Sequence, residues 1–525
     1  MIKTWLRKLG FSNAPFSGGI QPNMCKWTEN DAIEVCPLPP LLIVPMKQHI
    51  GQACRPLVSV GERVLRGQKI AKTQGYLSVP VHAPTSGSVL KIEEHAIPHP
   101  SGLGLASIFI EPDGLDERDE SLEPIEDWMQ RDVSELRERV RLCGLAGLGG
   151  AAFPTFIKLV KDQRYPIDTV ILNGIECEPF LTNDHRLMLE KSQEVLIGMQ
   201  IMMHMVGAKK GIVAIEHNKM DAAQKMQEVM ASLQMGADIH VVVLPTRYPQ
   251  GSEKQLIEAL TQKQVPTGKL PMHVGVLCQN VGTSKAIHDA VVLGQPITER
   301  VITVSGDAVP NKGNLLVRLG TSMRFIYAQR GLEHFNDIQM LHGGPMMGER
   351  LRHPDIPVIK SSTGLLALTN EFFRVAHPVE EPCIRCGHCS EACPISLTPN
   401  LLADHCRNEQ LEKAADYHLF DCIECGACSY VCPSHIPLVH YFRFGKGQIA
   451  QVRREQSFAE ASRHRSESRD ARVQREKDEK AAKRRVVRAK LKPDVVAKDV
   501  EKKSPPTTAE AKSETQPEAS TEVRD

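Results

Sequence analysis

Eight of the chain's fifteen cysteines fall in two runs of identical spacing. The first is Cys383-Ile-Arg-Cys386-Gly-His-Cys389-Ser-Glu-Ala-Cys393-Pro394, and the second is Cys422-Ile-Glu-Cys425-Gly-Ala-Cys428-Ser-Tyr-Val-Cys432-Pro433. Three thiolates at two-residue intervals let a short wrapped loop offer three corners of a 4Fe-4S cubane, and Gly387 and Gly426 let the backbone curl close to it. Zinc is the alternative for any cysteine-rich stretch. Zinc sites, however, draw paired C-x2-C knuckles from separate segments, whereas this x2, x2, x3, proline pattern occurs twice over. The chemistry expected is one-electron transfer through two clusters.

Each loop supplies three ligands, so a fourth must come from elsewhere. In two-cluster ferredoxin-type folds the cysteine before proline serves the other cluster, and proline biases it toward an extended conformation leading away from its own loop. Cys383, Cys386, Cys389 and Cys432 are therefore assigned to one cluster, and Cys422, Cys425, Cys428 and Cys393 to the other. Between the runs, Leu401 to Leu419 has a loosely helical spacing after Pro399, which predicts a helical ferredoxin-like module. Cys406 lies inside that stretch without a partner at ligand spacing. It is read as a small buried thiol, as are Cys25, Cys36, Cys54, Cys143, Cys177 and Cys278.

Upstream, Cys143-Gly-Leu-Ala-Gly147-Leu-Gly149-Gly150-Ala-Ala-Phe153-Pro154-Thr-Phe-Ile-Lys158 clears space for a close ligand and leads into a helix. Its backbone N–H groups suit a phosphate, with Lys158 as an added point charge. The same glycines would suit a tight turn between packed elements. Thr169-Val-Ile-Leu-Asn173-Gly-Ile175-Glu176-Cys-Glu178-Pro179 then reads as a buried strand ending in an amide and two acids, where ligand sites of α/β folds collect. Gly211 to Ile215 and Ile239 to Leu244 flank a helical stretch, Met220 to Leu233, giving a βαβ unit in which Met226 and Met230 are core. Tyr248-Pro-Gln-Gly251-Ser-Glu253-Lys254 and Cys278-Gln279-Asn280-Val281-Gly282-Thr283 each place polar groups after turn signals.

The Gly147 to Lys158 loop resembles the G-x-G-G-A-G-F-P-T-x-x-K loop that binds FMN in the NADH-oxidising subunit of respiratory complex I. Asn173 to Pro179 is similar to that family's N-A-D-E-x-E-P, with Gly174 in place of Ala and Ile175 in place of Asp. Gln279-Asn280-Val281 matches N-N-V-E-T in part, and Gly251-Ser-Glu253 matches G-E-E, which lies near the nicotinamide dinucleotide. With the cysteine runs and the order of modules, the chain resembles the RnfC (RsxC) family of the Rnf/Rsx ion-translocating electron-transport complexes. The resemblance covers roughly residues 1 to 445, on five separated motifs in the same order. It implies Gly147, Gly149, Gly150, Phe153, Lys158, Asn173, Glu176, Glu178, Glu253 and Asn280 as the FMN and NAD(H) residues. No side chain need act as a covalent nucleophile.

Residues 48 to 92 show short alternating strands and resemble the barrel-sandwich hybrid of biotinyl and lipoyl carriers. Where a carrier presents its lysine, this chain has Gly75-Tyr-Leu-Ser-Val-Pro80, so the module is read as a docking or packing domain. Residues 301 to 331 resemble a soluble-ligand-binding (SLBB-like) β-grasp module, and Gly343 to Gly348 suits either a turn or a close approach to a cofactor. Arg453 to Lys492 has a basic excess and reads as a solvated helix or a contact for anionic headgroups or acidic partners, and Lys503 to Asp525 reads as a disordered tail. The expected organisation is a multidomain α/β protein with β modules. It comprises an N-terminal region with the barrel-sandwich hybrid (1–125), an FMN/NADH-binding α/β domain (126–298), the β-grasp module (299–365), the two-cluster domain (366–445) and a charged tail (446–525).

With 64 Lys and Arg against 63 Asp and Glu, the net charge of +1 provides no whole-chain attraction to nucleic acid. No secretory signal follows the first residues, and nowhere do eighteen apolar residues run together. The expectation is a peripheral protein on the cytoplasmic face of the inner membrane. The resemblance implies that it relays electrons between NAD(H) and ferredoxin-type acceptors through FMN and two 4Fe-4S clusters, while membrane-spanning partner subunits move ions. Two other readings use the same residues: a soluble flavin and iron-sulfur dehydrogenase subunit, and a non-enzymatic electron wire or scaffold.

Overall fold

The computed structural model describes residues 16–99, 101–236, 238–372 and 379–490. Residues up to Ile449 form one compact unit, and those from Ala450 onward form another. Four parallel strands in the order Ile239–Leu244, Lys210–Glu216, Thr169–Gly174, Val276–Asn280 make the central sheet. Their near-continuous apolar runs are explained by burial on both faces. Val170, Leu172, Val213, Ile215 and Leu277 face one core with helices Ser192–Val206, Met220–Ser232 and Val281–Val292. Ile171, Ile212, Ala214, Val276 and Cys278 face the other, against helix Glu253–Thr261 and against Ala392, Cys425 and Ala427 from the cysteine-rich region. The alternation of strand side chains thus delivers the cysteine loops to one face of the sheet. Met226 is fully buried and Met230 packs against the first core, as their spacing implies.

The N-terminal module is two small sheets face to face. One has the order Leu42–Pro45, Gly104–Pro112, Gly87–Ala96, Arg63–Val64, and the other has Arg55–Pro56, Lys69–Lys72, Val81–His82. Val44, Val64, Ile70, Val81, Val89 and Ile108 fill the space between them. The hairpin tip carrying Tyr76 leans edge-on against Phe156, ring centroids 6.0 Å apart, and the Ile50 N–H donates to the Ala152 carbonyl at 3.1 Å. The position of a carrier's lysine is therefore used for packing onto the glycine-rich loop.

The third sheet is mixed and six-stranded, in the order Ile33–Val35, Gly313–Arg318, Glu299–Ser305, Gly364–Thr369, Ile338–His342, Glu349–Leu351. It differs from the expected 299–365 module at both ends. Ile33–Val35 joins it in parallel register with Asn314 to Leu316, and its central strand runs to Thr369. Three residues carry too little periodicity to reveal a sheet partner about 280 positions away.

In the cysteine-rich region, helices Pro399–Arg407 and Leu411–Asp416 replace the single expected helix, broken where Glu409 adopts a positive φ. Helix Leu438–Lys490 begins ahead of the expected boundary at 446, because Leu438, Val439 and Phe442 bury into the core around Cys406 and Cys428. From Ala450 to Arg488 its described side chains are mostly exposed, as a solvated charged helix requires. The tail from Lys503 lies outside the described residues. Among the described residues no helix is long and apolar enough to cross a membrane.

Helix Ser192–Val206 lies so close to helix Val281–Val292 that a Cβ on Gly198 would sit 1.9 Å from the Ser284 carbonyl oxygen. Gly198→Val should therefore cost about 3 kcal/mol of stability. Urea unfolding of the two proteins checks this, with a lowered midpoint expected for the variant.

Candidate functional site

The two cysteine loops share one backbone design. Arg385 and Glu424 both have positive φ, and Gly387 and Gly426 follow with φ of 87° and 79°. These left-handed positions curl each loop back on itself, and short helices His388–Ala392 and Ala427–Tyr430 lead away. Cys393 is extended, with φ −68° and ψ 119°, as its following proline dictates. It therefore leaves its own loop. Burial raises the affinity for protons of Cys422, Cys425 and Cys428, with Cys425 reaching about 12. The charge of Cys393 adds to the rise at all three, so these four thiols are electrostatic neighbours. Cys389, raised chiefly by burial, has Cys432 as its cysteine neighbour. The neighbours cross between the runs, Cys393 beside the second loop and Cys432 beside Cys389, and eight thiols are the donor chemistry of iron-sulfur clusters, while among the described residues no three or more His, Cys, Asp or Glu side chains converge as a metal site. N–H donors already point at sulfur, from Leu397 to Cys393 at 3.3 Å and from Glu424 to Cys422 at 3.4 Å.

The two thiol sets differ in exposure. Cys393, Cys425 and Cys428 are buried, while Cys383 and Cys386 are exposed. Glu424 is held in its left-handed turn by Arg443 at 3.0 Å and Lys446 at 2.7 Å, and Lys446 also donates to the Cys422 carbonyl at 2.6 Å. Cys406 is fully buried against the helix at Gly445, where a Cβ would come within 2.5 Å of its sulfur.

On the other side of the sheet's C-terminal edge lies the glycine loop. The Gly147 N–H donates to the Phe153 carbonyl at 2.8 Å, closing a tight turn whose tip, Gly149 to Ala151, faces solvent. Gly150 has φ 101° with nothing within 4 Å of a Cβ built on it, and a Cβ on Gly149 would press on Asn280 at 3.2 Å. A loop that must approach both the strand end and a flat ligand fits these glycines. Asn173 and Asn280 are register partners at the ends of adjacent parallel strands. The Asn173 amide donates to the Gly251 carbonyl at 2.8 Å and its oxygen accepts from the Ile175 N–H at 3.1 Å. The Asn280 oxygen caps helix Val281–Val292 through Gly282 at 2.8 Å, and its amide donates to Asp184 at 2.6 Å. Lys158 pairs with Glu253 at 2.5 Å and reaches the Cys278 carbonyl at 3.4 Å. Loop, strand ends and helix start thus converge on one edge, with exposed N–H groups and a cation that fit the phosphate of FMN.

Glu176 and Glu178 take other partners. The Glu176 carboxylate accepts from the backbone N–H of Asp184 at 2.8 Å and of His185 at 3.3 Å, capping helix Asn183–Glu190. Glu178 accepts from Met346 at 2.6 Å and Met347 at 3.0 Å, which anchors the Gly343 to Gly348 turn. Ile175, at the position where the resembling family has an acid, is 6 % exposed and packs with Tyr248 and Cys425. A polar contact there is replaced by an apolar seat for the cysteine loop.

Comparison with known proteins matches residues 14–115 to the RnfC barrel sandwich hybrid domain, 140–289 to the Nuo51 FMN-binding domain and 381–436 to a 4Fe-4S dicluster domain. Over 463 residues, 88 % of this chain and 74 % of the relative, the chain is 43 % identical to the RnfC component of the ion-translocating oxidoreductase complex of Yersinia pestis bv. Antiqua. The chain belongs to the RnfC family. The Salmonella choleraesuis member is 44 % identical over 88 % of this chain and 65 % of its own length. A solved NAD+-reducing [NiFe]-hydrogenase superposes with a TM-score of 0.43 at 17 % identity, covering 64 % of this chain and 69 % of that one. As an RnfC family member the chain carries an FMN-binding domain and a 4Fe-4S dicluster domain.

Several residues that shape the site carry no sequence signal. Lys26 donates to the carbonyls of Glu176, Glu178 and Leu181 at 2.6–2.8 Å, from about 150 residues away. Lys219 pairs with Glu216 at 2.8 Å, both buried, at the end of the neighbouring strand. Thr283 accepts from the Leu148 N–H at 2.9 Å, and its place at the end of the Gln279 to Thr283 motif is a signal that could have found it.

Asp184 is pushed up to about 7, first by burial and then by the charge of Glu176 beside it. An acid whose folded value lies above its unfolded one contributes stability that is full below about pH 4 and is lost as pH rises through 7. Asp184→Asn should therefore flatten the decline in stability of the cofactor-free full chain between pH 5 and pH 8. Urea midpoints at those pH values, wild type against variant, report it.

Proposed function

We propose that this chain is the electron-entry subunit of a membrane-bound ion-translocating oxidoreductase, passing electrons between NAD(H) and partner subunits through FMN and two 4Fe-4S clusters. The single observation that carries the reading is the placement of the glycine loop and the cysteine loops at one parallel sheet, with Ala392, Cys425 and Ala427 packed on the sheet itself. Bound FMN supplies the conversion between a two-electron hydride and the single electrons that clusters accept.

The chain's own residues position these groups. Gly147, Gly149, Gly150 and Lys158 hold the flavin phosphate, with Asn173 and Asn280 at the strand ends beside it. Phe153 and Glu253 face the nicotinamide dinucleotide, and Glu176 and Glu178 fix the turn below. Cys393, Cys422, Cys425 and Cys428 hold the inner cluster, and Cys383, Cys386, Cys389 and Cys432 hold the outer one. Exposure of Cys383 and Cys386 supports exchange with a ferredoxin-type partner or another member of the complex at that surface. The membrane-spanning partners move the ions, and this chain docks on them at the cytoplasmic face. The mixed sheet around helix Met323–Gln329 serves as the SLBB-like β-grasp module of this family.

The test is anaerobic purification of the full chain with iron, sulfide and flavin analysis, followed by EPR on addition of NADH. Expected are about eight irons and one FMN per chain, with cluster signals appearing on NADH addition. Iron without flavin or NADH response would reduce the role to a wire or scaffold. In the same assay Lys158→Met should retain the iron and lose most of the FMN.

A further inference from the structure

The segment Phe16 to Ile20 runs between the first cysteine loop and the turn at Arg247 and Tyr248 and touches both. The Gly19 N–H donates to the Ala392 carbonyl at 2.9 Å, next to Cys393. Gly18, with φ 68°, lies so close that a Cβ would stand 2.3 Å from the Cys393 carbonyl oxygen. Two residues on, Ile20 and Tyr248 exchange backbone hydrogen bonds of 2.8 and 2.9 Å as an isolated antiparallel bridge. Arg247 closes the end of the strap, donating to the Phe16 carbonyl at 3.4 Å with its guanidinium 5.2 Å from the Phe16 ring centre.

Tyr248 carries the contact onward. The residue is 1 % exposed, and its hydroxyl donates to the Cys425 carbonyl at 2.6 Å. Three residues later the Gly251 carbonyl accepts from Asn173, and the Gly251 N–H donates to the Cys177 sulfur at 3.3 Å. The bridge thus joins Tyr248, which holds the Cys425 carbonyl, to the strap that holds the Ala392 carbonyl and packs on the Cys393 peptide, and the Tyr248 side continues toward the strand-end asparagine. Cys383 and Cys386, by contrast, are exposed.

We propose that Tyr248 and the Gly18–Gly19 strap are positioning residues for the inner cluster, seating it against the flavin domain and setting its potential independently of the outer cluster. The inference rests on the crossed assignment of ligands. A phenol hydroxyl donating to the peptide carbonyl of Cys425 draws electron density from the backbone of that ligand, which favours the more negative, reduced state of the cluster it would hold. The strap acts by geometry. It allows Cys393 the extended path to the other loop, and only glycine at position 18 leaves room for that peptide.

The experiment is an EPR-monitored redox titration of the anaerobically purified full chain as wild type, Tyr248→Phe, Gly18→Ala and Gly236→Ala. The last is a control, because a Cβ on Gly236 meets nothing within 4 Å. In Tyr248→Phe, iron content should hold. One of the two cluster signals should become harder to reduce by about threefold to tenfold, tenfold being about 59 mV for a one-electron couple. In Gly18→Ala that same signal should lose intensity or convert to a three-iron form, and Gly236→Ala should match wild type. Unchanged potentials in Tyr248→Phe, equal shifts of both signals, or effects of the two variants on different signals would overturn the inference while leaving the two-cluster reading intact. A wild-type chain with fewer than two cluster signals would sink the cluster reading and this inference with it.

Discussion

The carbonyls of Glu176, Glu178 and Leu181 converge on the ammonium of Lys26. This stretch leaves the end of a central strand and forms no regular element of its own, so its buried backbone oxygens have no ladder to join. Each would cost about 1–3 kcal/mol if left unsatisfied. One cation with three donors answers all three, although burial first, and Lys219 second, lower its own proton affinity to about 8. With the turn held, the Glu176 carboxylate can cap helix Asn183–Glu190 and Glu178 can receive the Met346 and Met347 N–H groups. The Met346 carbonyl in turn lies 3.0 Å from where a Cβ on Gly426 would stand. Flavin edge, cysteine loop and mixed sheet are all referenced to that turn.

A second buried lysine performs a similar task at the opposite joint. Lys360 donates to the carbonyls of Pro80 and Gly144 at 3.1 and 2.6 Å, joining the barrel-sandwich module, the approach to the glycine loop and the mixed sheet. Arg300 donates to the carbonyls of Lys360 and, at 3.1 Å, Leu148, bringing the loop itself into the same joint. Cations on backbone oxygens suit such places because they satisfy irregular chain without demanding a carboxylate of opposite charge. The modules therefore meet as one body up to Ile449.

What the sequence made legible follows from the range of the forces involved. Cysteine spacing, the glycines after the second cysteine of each run and the prolines after Cys393 and Cys432 act over a few residues, and the left-handed Gly387 and Gly426 and the extended Cys393 follow from them. The parallel strands were legible because burial on both faces leaves unbroken apolar runs. Glu176 and Glu178 are different. Their motif is recognisable, yet their nearest partners are backbone N–H groups supplied by helix Asn183–Glu190 and by a turn about 170 residues away. Likewise Ile33–Val35, Lys26 and Lys360 owe their roles to contacts across the whole fold, for which no local period exists.

The proposed exchange of cysteines between the two runs has a consequence for biogenesis. A chain emerging from the ribosome in sequence order contains no complete thiol set until Cys428 has been made, and the second set waits for Cys432. The upstream loop is therefore finished translating well before it can close a cluster, with three of its thiols awaiting a ligand still to be synthesised.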